Sequence, residues 1–198
     1  MSESGSSADA VAPQDARALS VPLVVTAGVL AVGASLYVSP GLSGLAGALL
    51  ASVMLVIAVE DWRRFVIPNA LNLLAVGLRV VDIGLERPDE FAGAMSDAVL
   101  RAIVAAGMFL AFRFAYRNLR GREGMGLGDV KLAGVAGLWL GWPSLPIALE
   151  IAALAGLALA LSWRVRSRGG LGPFTKLPFG AVLAPAIWLC WLWERWAI

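Results

Sequence analysis

The apolar residues of this chain come in seven runs, at 20–38, 42–60, 67–85, 95–115, 128–142, 144–163 and 178–196, with short charged or turn-forming connections between them. Most of the runs approach the roughly 20 residues that carry a helix across about 30 Å of hydrocarbon at about 1.5 Å per residue. Composition agrees, because 59% of the 198 residues are hydrophobic and 15% charged, whereas soluble domains lie near roughly 45–50% and 25%. The expected fold class is therefore all-α, a polytopic membrane protein of about seven transmembrane helices. The number falls to six if the short fifth run joins the sixth as one unit kinked or re-entrant at Trp142-Pro143.

Charge placement sets the orientation. Twelve of the sixteen Lys and Arg residues fall at Arg17, Arg63, Arg64, Arg113, Arg117, Arg120, Arg122, Lys131, Arg164, Arg166, Arg168 and Lys176. The connections between these clusters are neutral (39–41, 141–143) or net acidic (Glu86, Arg87, Asp89, Glu90). Seven spans with a cytoplasmic N-terminus put every basic loop inside, as the positive-inside rule requires. Residues 1–19 are Ser/Ala-rich and acidic, so they read as a disordered cytoplasmic tail, and their charge does not fit the basic start of a secretory signal peptide. Residues 20–198 read as one transmembrane domain. The basic clusters flank hydrophobic runs, which points to a lipid bilayer as partner and away from nucleic acid. Trp188, Trp191, Trp193 and Trp196 read as an aromatic belt at the outer interface.

The chain has no histidine and one cysteine, Cys190, which sits in an apolar run as a small buried hydrophobe. Ser-His-Asp and Cys-His catalysis, His-ligated zinc and Cys-x-x-Cys sites are thereby excluded, and neither a metal nor a cofactor is expected. Chemistry must come from carboxylates. Asp82 follows Arg79 by three residues and Asp97 precedes Arg101 by four, so both read as structural ion pairs near the outer face. Glu150 reads as an inter-helix hydrogen-bonding group or a minor functional residue.

Two carboxylates remain with local apparatus around them. Asp61 ends the second run and precedes Ile67-Pro68-Asn69, in which Pro68 suits the first turn of the next helix. Asp129 opens the fifth run within Gly126-Leu127-Gly128-Asp129-Val130-Lys131-Leu132. The orientation set by the arginines brings both to the cytoplasmic membrane boundary, where they can meet. A pair of carboxyls hydrolyses a peptide bond without His, Cys or metal: one, ionised, takes a proton from water, and the other, protonated, donates to the scissile carbonyl. Asp129 at a helix start near Lys131 favours the anion, and Asp61 at a helix end beside Glu60 favours the acid, with Arg63 and Arg64 opposing. Gly126 and Gly128 allow positive φ before Asp129 and let a substrate backbone lie close.

With these residues in view, the chain resembles the type IV prepilin peptidases, the polytopic GxGD aspartyl proteases. Asp61 with Ile67-Pro68-Asn69, Gly126-x-Gly128-Asp129-x-Lys131-Leu132 and Leu177-Pro178-Phe179-Gly180 carry the resemblance in order. It implies that Asp61 and Asp129 are the catalytic pair, and that Gly126, Gly128, Lys131, Pro68 and Asn69 bind substrate. The partner it implies is a prepilin whose short basic leader precedes a hydrophobic helix, cleaved at the cytoplasmic face of the bacterial inner membrane. That apolar helix is expected to dock laterally against the spans. Larger members carry a Cys-x-x-Cys insert and methylate the new N-terminus; this sequence has neither insert nor cysteine pairs, which points to the short Tad/Flp-pilus form. The alternatives are a presenilin-like protease, against which Glu60 precedes Asp61, and a proton-coupled transporter, which calls for carboxylates spread through the membrane depth. The sequence does not specify an oligomeric state.

Overall fold

The computed structural model describes residues 20–121, 125–166 and 177–197. Among them the chain forms seven α-helices and no strand. The helices are α1 (Val21–Val38), α2 (Leu42–Arg64), α3 (Asn69–Glu86), α4 (Phe91–Arg120), α5 (Leu127–Trp139), α6 (Ser144–Arg166) and α7 (Gly180–Trp196). The expected tail at 1–19, and Arg122, Arg168 and Lys176 of the basic loops, lie outside the described residues.

Four helices, α1, α2, α4 and α6, are long and apolar enough to cross a membrane by length and composition. Large apolar side chains on their outer faces are exposed, among them Val29 and Leu30 of α1, Phe112 of α4 and Leu154 of α6. In water such a surface would drive association; in a bilayer it meets hydrocarbon of its own kind. The chain is an all-α, multi-pass membrane protein.

The core belongs to α2, α5 and α7. Nearly every residue of α5 from Val130 to Trp139 is buried, and it packs on α3, α4, α6 and α7. By contrast α1 buries only Ser35, which donates to Ala31 O at 2.9 Å and accepts the Trp188 indole N–H at 3.0 Å. Close approach depends on small residues. At Gly47 of α2 a Cβ would fall 1.8 Å from the Trp191 ring of α7, and at Gly137 of α5 it would fall 2.5 Å from the Arg101 carbonyl oxygen of α4.

Two expectations change here. α5 has 13 residues, a length of about 20 Å at about 1.5 Å per residue, and it ends at Trp139, so the break before α6 spans Leu140 to Pro143 rather than Trp142-Pro143 alone. Only part of the tryptophan belt is a belt. Trp193 and Trp196 are exposed, but Trp191 is buried in the slot that Gly47 leaves, and Trp188 reaches inward to Ser35.

The ion pairs form as the spacing predicts, Arg79 with Asp82 and Arg101 with Asp97. Beside them Arg195 of α7 grips Glu86 of α3 through two bonds of 2.9 and 3.0 Å, and Ser43 of α2 donates to the same carboxylate. Glu150 lies exposed on α6 with no hydrogen bond or ion pair among the described residues, so of its two readings the inter-helix link does not form. Cys190 is buried and unpaired, as a small hydrophobe would be.

Candidate active site

α2 ends with Phe65 in the left-handed conformation (φ 53°, ψ 36°), its N–H bonded to Asp61 O at 2.9 Å. A non-glycine residue there costs on the order of 1 kcal/mol or more, and the bend it makes leads through Val66 and Ile67 to the start of α3. Pro68 stands one position ahead of the helix, not within its first turn, and its carbonyl accepts from Leu71 N at 3.2 Å.

Ile67 then becomes a wedge. It is 8% exposed, and added Cβ atoms at Gly128 and Gly180 would meet it at 3.1 and 2.6 Å respectively. Both glycines therefore let the starts of α5 and α7 close onto one side chain. Gly126 takes φ −74°, and neither it nor Gly128 adopts positive φ. The expected backbone freedom is not used; what the chain uses at Gly128 is the missing Cβ.

Asp61, 5% exposed, lies in the last turn of α2 and accepts the Ala181 N–H through Oδ2 at 2.8 Å. That donor belongs to the first turn of α7, whose early N–H groups have no partner within the helix. Asp129 is partly buried in the first turn of α5 and accepts the Gly126 N–H through its own Oδ2 at 3.1 Å. Each aspartate thus takes one backbone N–H at a helix start. The helix-end argument that made Asp61 the acid and Asp129 the base fails, since the fold lays the N-terminus of α7 against the Asp61 carboxylate.

Asp61 and Asp129 line one open cavity of about 240 Å³ together with Phe65, Val66, Ile67, Asn69, Gly126, Leu127, Gly128 and Lys131. Of the expected site residues only Pro68 is absent from the wall, where it acts as the cap of α3. Lys131 does not turn to Asp129; its Nζ donates to Asn69 Oδ1 at 2.8 Å and ties α5 to α3 across the rim. From α4, Arg113 donates to the Met125 carbonyl just before Gly126. Trp62, next to Asp61, packs against Trp163 of α6 with ring centroids 6.1 Å apart. No group of three or more metal-ligating side chains occurs among the described residues. Sequence reasoning missed Ile67 and the Gly180-Ala181 backbone as parts of the site. The signal was there in Leu177-Pro178-Phe179-Gly180, but nothing in a linear motif says which carboxylate a backbone N–H will meet.

Residues 48–161 match the family model described as the type IV leader peptidase family. The chain belongs to the type IV leader peptidase family. Among curated proteins it is similar to a prepilin leader peptidase/N-methyltransferase of Aeromonas hydrophila, 33% identical over 185 residues, which cover 92% of this chain and 60% of that protein. It is likewise similar to one from Burkholderia pseudomallei (strain 1026b), 37% identical over 169 residues covering 82% and 51%, and to one from Pectobacterium carotovorum subsp. carotovorum, 32% identical over 144 residues covering 72% and 50%. The chain thus spans 50% to 60% of the length of these relatives. No solved structure matches. The matched region contains both Asp61 and Asp129.

Proposed function

We propose that this chain is a membrane-embedded aspartyl endopeptidase that removes the leader peptide of Tad/Flp-like prepilins at the cytoplasmic face of the bacterial inner membrane. The observation that carries the reading is the convergence of Asp61 and Asp129, from helices far apart in sequence, on one open cavity at one end of the bundle.

A water seated between the carboxyls loses a proton to the ionised one as its oxygen attacks the scissile carbonyl carbon. The protonated partner gives its proton to the developing oxyanion. Collapse of the tetrahedral intermediate breaks the C–N bond, and a proton passes to the departing amine. Two carboxyls that share a site do not ionise together cheaply, so the single proton this scheme needs stays with the pair, which titrates as a unit. The rim contact of Lys131 with Asn69 and the glycine-lined approach at Gly126 and Gly128 leave room for an extended substrate backbone. The exposed apolar faces beside the cavity suit the hydrophobic helix that follows a prepilin leader. We assign the N-terminus and the basic loops to the cytoplasm, with seven helices alternating in direction and α5 traversing only part of the bilayer.

Cleavage of a co-expressed prepilin in membranes tests the reading, with Asp61→Asn and Asp129→Asn compared separately at matched abundance. Loss of cleavage in both, by at least about a thousandfold as expected when one of two cooperating catalytic groups goes, supports it. Retained cleavage in either variant excludes the two-aspartate mechanism and favours a role in proton movement.

A further inference from the structure

α5 carries Asp129 in its first turn and stops after 13 residues, roughly 20 Å along its axis against the roughly 30 Å of a bilayer core. Its last residues, Gly137, Leu138, Trp139 and Leu140, are buried inside the protein, where a backbone C=O without a partner is costly. The Leu140 N–H serves Ala136 O. Gly137 O accepts from Arg101 Nε of α4 at 3.2 Å, and Leu138 O accepts from Arg79 Nε of α3 at 3.0 Å. Both side chains are largely buried, 9% and 15% exposed, and each has its charge balanced by an aspartate of its own helix. Arg79 also lies 5.4 Å from the centre of the Trp139 ring, while the Trp139 indole N–H donates to Ala75 O at 3.0 Å. At Gly137 the backbones of α4 and α5 touch, since a Cβ there would clash with main-chain atoms of Arg101 and Ala102.

The end of α5 is thus held on two sides by cations at the place where the helix dipole favours them. A helix is stiff along its axis, so a fixed end fixes the other. Asp129 stands eight residues before Gly137, about 12 Å away at about 1.5 Å per residue.

We propose that Arg79 and Arg101 are positioning residues: by capping the buried C-terminus of α5 they set the depth and rotation at which Asp129 faces Asp61. The ion pairs are the means of holding an arginine there, and the bond to the α5 carbonyl is what the peptidase uses. This inference rests on the peptidase reading of the same site.

Arg101 is the better probe, because its partner Asp97 is half exposed, so its removal strands no buried charge, whereas Asp82 is 2% exposed. Purified Arg101→Met is expected to lose on the order of tenfold or more in kcat for prepilin cleavage, the scale of a sub-ångström to ångström misplacement of a catalytic group, with KM unchanged. Arg101→Lys keeps a donor for Gly137 O and is expected to recover part of that loss. Asp97→Asn, which removes the counter-charge but keeps an amide oxygen to accept from the Arg101 guanidinium and leaves the donor to Gly137 O, is expected to lose clearly less kcat than Arg101→Met. Equal effects of Arg101→Met and Asp97→Asn, or unchanged kcat per folded molecule in Arg101→Met, would overturn the proposal. If Arg101→Met does not accumulate, the same comparison of Arg79→Met with Arg79→Lys reads the Leu138 contact. Failure of both Met variants to insert would assign the arginines to folding alone and overturn it too. A wild type that cleaves no prepilin rejects the peptidase reading instead, so the two failures are distinguishable.

Discussion

Gly180 has no side chain, and the Asp61 carboxylate occupies the space beside it: a Cβ there would sit 3.0 Å from Asp61 Oδ2 and 2.6 Å from Ile67 Cδ1. The end of an isoleucine can turn away at little cost, but a carboxylate oxygen that accepts the Ala181 N–H at 2.8 Å cannot move without stretching that bond. Gly180→Ala is therefore expected to lower prepilin cleavage by about tenfold or more at near-normal abundance, measured as initial rate per folded molecule in membranes. Adding Ile67→Val, which removes only Cδ1, is expected to restore little of it. Full recovery in the double variant would show that the wedge, not the carboxylate, feels the added methyl. Asp61 and Asp129 were legible as a pair from charge placement and motif order, since each stands near the boundary of an apolar run. Their hydrogen-bond donors were not, because Ala181 lies 120 residues from Asp61 and a backbone N–H has no sequence signature.

At the scale of elements, glycine marks where helices touch, and its consequences depend on what stands opposite. At Gly47 the neighbour is the Trp191 indole, buried to 1% exposure and with the Arg195 guanidinium 5.7 Å from its ring centre. Gly47→Ala overpacks α2 against α7 far from the cavity, at a cost of about 1–3 kcal/mol. It is expected to lower the melting temperature and abundance while leaving kcat per folded molecule unchanged, as thermal unfolding in detergent with a parallel rate assay would read. A fall in kcat instead would mean that the α2–α7 contact is coupled to Asp61 in the next turns of the same helix. Helix boundaries followed apolar run length closely for α1 and α2, whose connection is a short Ser-Pro-Gly turn. α4 was underestimated: it runs to Arg120, past its apolar stretch, and its last turn is basic, which suits a helix C-terminus.

For the whole molecule, alternating helices gather the end of α2 and the starts of α3, α5 and α7 at one end of the bundle. Orientation across the bilayer is then one binary choice, and the proposed one, with the basic end inside, is open to a direct test. In a Cys190→Ala background, Arg120→Cys is expected to resist a membrane-impermeant maleimide added to intact spheroplasts and to react after lysis, while Glu90→Cys is expected to react in both. The opposite pattern would invert the assigned topology and put the cavity outside.

Fold class, the run of seven helices and the choice of the two aspartates as a candidate pair follow from the sequence alone, because they depend on hydropathy over about 20 residues and on charges at run boundaries, both local quantities. The tertiary structure decided what those quantities do not contain. It laid the α7 N-terminus on Asp61, drove Ile67 between Gly128 and Gly180, turned Lys131 to Asn69, and ended α5 on two arginines. Each of these is a long-range pairing of a backbone polar group or a side chain with a partner brought close only by packing, and buried polar groups must find such partners wherever the fold provides them.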